Sequence, residues 1–321
     1  MDTLSEVLHS VKISSAIFYN GEFSAPWSVR EPSSAGIAPY LETGAGHVII
    51  YHFVASGSAW AQTEDGAPIE LRAGDIVIFP HGDSHLMGNG SYAAPIDNGP
   101  HIRRILTQGL SLARMGGGGE VTRLVCGYMV CDPRLSRILL SGLPRILAIN
   151  VRQGAFGDWL ENSLQFVLSQ ANTLGPGAQA VITKLSEALF VETLRRYLVQ
   201  MPEDQTGWLA GSRDPEIGKA LALMHREIAH PWTISGIASA VGLSRSVFAE
   251  RFRHFLGDSP IAYLTHWRLQ LGAQLLKTSN RSVADIAAHV GYESEAAFNR
   301  AFKREFTDPP ARFRKIAKAA A

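Results

Sequence analysis

The feature that most restricts how this chain can fold is an internal repeat in its last third. IASAVGLSRSVFAERFRHFLGDSP (Ile237 to Pro260) aligns with IAAHVGYESEAAFNRAFKREFTDPP (Ile286 to Pro310), and the second copy carries one extra residue, Glu293. Ile237, Ala238, Val241 and Gly242 match Ile286, Ala287, Val290 and Gly291. Ser244, Phe248 and Phe252 match Ser294, Phe298 and Phe302, and Asp258 and Pro260 match Asp308 and Pro310. Each copy reads as a helix-turn-helix. A short helix ends at a Gly suited to the left-handed conformation, Leu243 or Tyr292 plugs the turn, and a Ser caps a second helix. That helix buries phenylalanines spaced by four residues, which leaves its opposite face polar and free to enter a major groove. A plain helical bundle does not require the same turn, cap and aromatic spacing twice. Duplex DNA is the partner this pattern points to.

Charge agrees with it. Arg213 to Ala321 holds 16 Lys and Arg against 10 Asp and Glu, a net of +6, whereas Met1 to Ser212 nets −5 from 14 and 19. A basic part joined to an acidic part fits a nucleic-acid partner for the former. At 321 residues, with about 100–200 residues per domain, two domains are expected. No run approaches the roughly 18 apolar residues of a membrane span. MDTLSEVLHSVKIS lacks the basic start of a signal peptide, and two cysteines suit a reducing compartment. The expected location is the cytoplasm.

The first part reads as strands. HVIIYHFVA (His47 to Ala55) and DIVIFP (Asp75 to Pro80) are short, β-branched or aromatic runs bounded by turn residues. Such strands suggest a sandwich or barrel. From Phe156 the period becomes helical in WLENSLQFVLSQ and VITKLSEALFVETLRRYLVQ. The predicted organisation is α+β: a strand-rich barrel over 1–150, an antiparallel helix pair over 151–200, a polar linker over 201–213, and an all-α domain over 214–321. The helix pair carries apolar stripes, including Leu164 and Leu168 on one helix and Leu185 and Leu189 on the other. These imply a homodimer interface, or packing on the barrel.

The region from Asp214 to about Lys315 resembles the DNA-binding domain of the AraC/XylS family of bacterial regulators. WRLQLGAQLL, VGYESEAAFNRAFKREF and DPPARFRK carry the resemblance. It implies two helix-turn-helix units joined by a long helix over Ile261 to Ser279. It also implies regulation near promoters, with duplex DNA and RNA polymerase as partners. Carried over position by position, Arg245, Ser246, Ala249 and Glu250 would face bases in the first unit. Glu295, Ala296, Asn299 and Arg300 would do so in the second. Arg253, Lys303 and Arg304 sit at the basic edge and suit phosphates. Ala249 and Ala296 can offer only a thymine-methyl contact.

WAQTEDGAPIELRAGDIVIFPHGDSHLM and LVCGYMVCDPRL resemble the cupin-type sensing domain attached to many such regulators. Catalytic cupins bring a His-x-His pair. Here the first motif keeps only His52, flanked by Tyr51 and Phe53, which argues against an oxygenase-like iron site. On an alternating strand His52 shares the interior face with Ile50 and Val54. His85 and Cys126 are the other candidates. Two imidazoles and a thiolate would suit Zn or Cu. The alternative is that the histidines are hydrogen-bonded interior groups and Cys126 a small core residue. A thiol sensor at Cys126 and an organic effector in a pocket lined by Trp60 and Phe79 also stay open. His81 is expected in a loop at the barrel mouth. Cys126 and Cys131 lie five apart, about 16 Å along a strand, so a disulfide needs the strand to end between them. The leading expectation is a regulator whose cupin-like domain senses a small molecule, metal or oxidant. A cupin metalloenzyme with an accessory DNA-binding domain and an effector-independent architectural protein are the alternatives.

Overall fold

The structure is a computed structural model that describes residues 4, 14–41, 47–90, 94–108, 112–131, 140, 142–152, 157–159, 162–163, 178–202 and 204–319. The chain divides into two compact units. The strand-rich unit spans Lys12–Ser136 and Leu143–Met201, and the helical unit is built on Pro202–Ala321, with short segments around Leu4 and Leu140 grouped with it.

The strand-rich unit has two sheets. The first orders β11 (Leu147–Asn150), β6 (Asp75–Phe79), β3 (His47–Ser56), β10 (Val121–Cys131), β1 (Ser14–Ser24) and β9 (Leu112–Gly116). The second orders β5 (Ile69–Arg72), β4 (Ser58–Thr63), β7 (His85–Asn89), β2 (Trp27–Glu31) and β8 (Ile96–Asp97). Two short helices, α1 (Ser34–Ile37) and α2 (Gly99–Gln108), complete the wall. The pairs are antiparallel apart from β1 with β9 and β2 with β8. One core fills the space between the sheets, with Ile50, Val54, Val77, Phe79 and Leu124 from one and Val29, Ala59, Ala61 and Met87 from the other.

β3 is buried on both faces. Its even residues from Val48 to Val54 point into the barrel, as alternation predicts. Its other face lies under helix α3 (Ala178–Gln200), which packs on β1 and β11. Tyr51 lies across Gly127, its cross-strand partner, and its hydroxyl donates to Ser186 Oγ of α3 at 2.7 Å. Ser186, Leu189, Phe190, Thr193 and Leu194 are buried in the same way. The stripe containing Leu189 therefore belongs to the barrel rather than to a subunit interface. Leu185 is half-buried, and Leu164 and Leu168 lie outside the described residues.

The helical unit runs α4 (Trp208–Arg213), α5 (Pro215–Arg226), α6 (Ile234–Ala240), α7 (Arg245–Leu256), α8 (Pro260–Thr278), α9 (Val283–His289), α10 (Glu295–Phe306) and α11 (Pro310–Ala319). Helix starts are set by side-chain caps: Asp214, Thr233, Ser244, Ser259, Ser282 and Ser294 each accept a backbone N–H. Each such cap is worth about 1 kcal/mol. The linker expected over 201–213 is corrected in part, because α4 lies within it. Trp208 is wholly buried and donates from Nε1 to the Tyr263 hydroxyl at 2.8 Å. The Tyr263 hydroxyl is hydrogen-bonded to His225 Nε2 at 2.8 Å, and the His225 ring stacks on Trp267. The polar and Gly-rich composition around WLAG hid this anchor. Among the described residues no helix is long and apolar enough to cross a membrane.

Candidate functional site

The two recognition helices follow from their aromatic spacing. On α7, Phe248 and Phe252 are fully buried, edge to face at 5.6 Å. On α10, Phe298, Phe302 and Phe306 are buried against Leu269, Ala273, Leu276, Ile286 and Val290. A helix that buries one stripe must present the other. Arg245, Ser246, Glu250 and Arg253 are exposed on α7, with Ala249 half-buried beside them. Glu295, Ala296, Arg300, Lys303 and Arg304 are exposed on α10. Asn299 is half-buried, and its Nδ2 donates to the Glu295 carbonyl at 3.0 Å. All eleven positions lie off the aromatic stripe. Val247 is 44% exposed among them and was not anticipated; a valine beside the core residue Phe248 gave no polar signal. Arg251 is tied to Asp214 and Glu216 and serves the fold.

The barrel interior brings His52, His85 and Cys126 together. His52 sits between the other two, with Nδ1 2.8 Å from Cys126 Sγ and Nε2 2.8 Å from His85 Nε2. His85 Nδ1 lies 2.9 Å from the Asp83 carbonyl. All three side chains are buried. Burial depresses both imidazoles, His52 well below its ordinary value and His85 to about 4, so both are neutral at pH 7. Neutrality fixes the protons. His85 Nδ1 must donate to a carbonyl, so its Nε2 accepts from His52 Nε2–H. His52 Nδ1 then accepts, and the Cys126 thiol donates to it. The result is a satisfied chain from thiol to backbone.

The spacing in this chain is that of hydrogen bonds. An ion shared by two imidazoles sits about 2.0–2.1 Å from each nitrogen, which at a tetrahedral angle sets the nitrogens about 3.3 Å apart. The observed 2.8 Å is a hydrogen bond, and Cys126 addresses the opposite nitrogen of the same ring. Among the described residues no group of three or more His, Cys, Asp or Glu is placed to hold a metal. In this arrangement His52, His85 and Cys126 form a hydrogen-bonded chain, with His52 in the middle. β10 runs unbroken to Cys131, so the strand does not end between the two cysteines.

Phe79 stacks on His85 at 3.5 Å and meets His52 edge-on. Trp60 does not line the interior. In β4 the inward residues are Ala59, Ala61 and Thr63, and Trp60 lies outside over its partner Gly88. His81 is exposed in the turn after β6, with Nε2 3.0 Å from the Leu143 carbonyl.

Comparison with known proteins supports both halves. A family model described as Cupin matches residues 2–199, and one described as Helix-turn-helix domain matches residues 237–316. The chain is 30% identical over 319 residues to the HTH-type transcriptional regulator AlkR of Acinetobacter baylyi, covering 98% of this chain and 99% of that one. It is 31% identical over 319 residues to an AraC-like transcription regulator of Streptomyces lividans, covering 98% of each. The chain belongs to the AraC family of transcription regulators. It is also 28% identical over 277 residues to the RCS-specific HTH-type transcriptional activator RclR of Escherichia coli, covering 85% of this chain and 87% of that one.

The cupin half of this AraC-family regulator holds one polar group that sequence reasoning missed. Glu31 pairs in register with His85, is almost fully buried, and accepts from Asn98 Nδ2 at 2.7 Å. A lone acid in the strand WSVRE was its only signal.

Proposed function

We propose that this AraC-family regulator senses a small oxidant or thiol-reactive electrophile at Cys126, inside its barrel. The observation that supports it is the Cys126–His52–His85 chain, three titratable groups buried in an otherwise apolar core. Burying such groups is costly unless every hydrogen bond is made, and aliphatic residues would fill the same space at less cost. The chain offers chemistry instead. As the thiol proton moves to His52 Nδ1, His52 passes its Nε2 proton to His85. This leaves a thiolate at Cys126 and a charge on His85, with no net loss of protons. The thiolate is the nucleophile.

In this reading the barrel's state sets how the helical unit engages duplex DNA. Arg245, Ser246, Ala249 and Glu250, with Glu295, Ala296, Asn299 and Arg300, read base edges. Arg253, Lys303 and Arg304 hold phosphates. RNA polymerase is the further partner, and a homodimer the working form. A charge at the exposed Val181 or Val199 of α3 tests dimerisation without touching the barrel core. The test of sensing is mass spectrometry on the full-length protein treated with hydrogen peroxide or hypochlorite, with affinity for a duplex selected from a random pool measured alongside. Modification of Cys126 together with altered affinity, both lost in Cys126→Ser, is expected. Altered affinity that persists in Cys126→Ser, or stoichiometric zinc binding by the untreated protein, contradicts the reading.

A further inference from the structure

The two helix-turn-helix units are built on one repeat, yet their turn glycines sit in different surroundings. Gly242 and Gly291 both have positive φ, +78° and +82°. A Cβ on Gly242 would meet nothing within 4 Å. A Cβ on Gly291 would lie 2.8 Å from Ala229 Cα and 2.8 Å from a terminal nitrogen of Arg268. Ala229 belongs to the loop between α5 and α6, in the first unit. Arg268 lies on the joining helix α8, and its guanidinium is fixed by that same loop. Nε donates to the Ile228 carbonyl at 2.8 Å and Nη2 to the His230 carbonyl at 2.7 Å. The loop is itself held, by His230 N–H to the Glu227 carbonyl at 3.0 Å and Trp232 Nε1–H to the same carbonyl at 3.2 Å. The turn of the second unit thus rests directly on the first unit's loop, with the guanidinium clamped between them.

From this we infer that Arg268 and Gly291 lock the two units into a single reading head, and so set the spacing of the two DNA segments the regulator accepts. Neither residue faces DNA in this assignment. Both are positioning residues, acting through the pose of α7 and α10. Arg268 suits the task because its planar fork reaches two carbonyls at once, which a lysine's single ammonium does not reproduce. Gly291 suits it because only a residue without Cβ admits this approach. The inference rests on the reading that both recognition helices contact one duplex.

The experiment uses the full-length protein and two probes: a duplex selected by the wild type from a random pool, and the same duplex with two base pairs inserted between the protected segments. Two base pairs displace the second segment by about 7 Å. A locked head then loses one unit's base contacts, so the wild type should bind the inserted duplex about 30-fold more weakly, the scale of one good base contact. Arg268→Ala and Gly291→Ala should bind the selected duplex more weakly and show an insertion penalty below five-fold, the tether letting each unit find its segment. Arg268→Lys should fall between. Gly242→Ala carries the same backbone strain without the contact and should keep the wild-type penalty. If Arg268→Ala does not fold, the Arg268→Lys and Gly291→Ala pair decides by the same ratio. The inference is overturned if these variants keep the wild-type penalty, or if Gly242→Ala loses it equally. Equal, weak binding of both duplexes by the wild type would instead contradict the DNA-reading assignment beneath it.

Discussion

Replacing Thr307 by Gly should stabilise the helical unit. Thr307 closes α10 with φ +70° and ψ −40°, and it is the one non-glycine with positive φ among the described residues. At the matching place in the first repeat, α7 closes on Gly257 with φ +75° and ψ −16°. Both residues donate their N–H at 2.9 Å to the carbonyl four residues back, Lys303 or Arg253. The left-handed region costs an L-residue about 1–2 kcal/mol, and a β-branched side chain belongs at the upper end. Glycine returns part of that through the greater freedom of its unfolded chain, about 0.4–1 kcal/mol. Thr307 is exposed, so little burial is lost. The net gain is about 1–1.5 kcal/mol, or about 4–10 °C in the transition of a domain this size. Calorimetry of the full-length protein resolves it if the two units melt separately; urea-dependent hydrogen exchange of α10 amides does so if they do not. The converse Gly257→Thr has open space for its side chain, so only backbone strain opposes it, and it should lose a similar amount. Thr307→Gly that leaves the transition unmoved or lowers it would refute the reasoning.

Other outcomes follow from the same geometry. Arg300→Ala and Arg245→Ala should weaken binding to a selected duplex more than to a scrambled one, by about 1–3 kcal/mol. Lys303→Ala should weaken both alike and lower the salt slope by about one; fluorescence titrations across salt distinguish the two patterns. Trp208→Ala should cost the helical unit about 3–5 kcal/mol, measured by denaturation, whereas a linker tryptophan would cost nothing. Burial depresses His52 and His85, so unfolding takes up protons at mildly acidic pH. Their contribution is whole above about 6.5 and is lost as pH falls toward the His85 value of about 4. Barrel melting temperatures measured across that window should drop less steeply in His85→Gln.

The helical unit was legible because the information is local and stated twice. Gly242 and Gly291, Ser244 and Ser294, and the phenylalanines at spacing four specify turn, cap and core within a few residues of one another. The barrel was legible where alternation on β3 sets His52 inward, and the meeting of His52, His85 and Cys126 is a consequence of register between β3, β7 and β10. It was misread at Trp60. In SAWAQT the two alanines point inward because Phe79 and His85 already occupy the interior, and the large Trp60 finds room outside on Gly88. How the three candidate groups meet is something no spacing reveals. The three groups do converge, but in a row with His52 in the middle, so both of its nitrogens are spent on hydrogen bonds. The stripe through Leu189 showed that α3 has an apolar face, not what that face touches.

The central claim is that the duplicated helices read sequence on duplex DNA. Its most direct measurement is the affinity of the full-length protein for a duplex it has itself selected, against a scrambled duplex of equal length, at about 150 mM salt. A specific regulator binds its site at least about 1,000-fold more tightly than other DNA, and this account predicts a ratio of that order. Equal affinity for the two duplexes would contradict it.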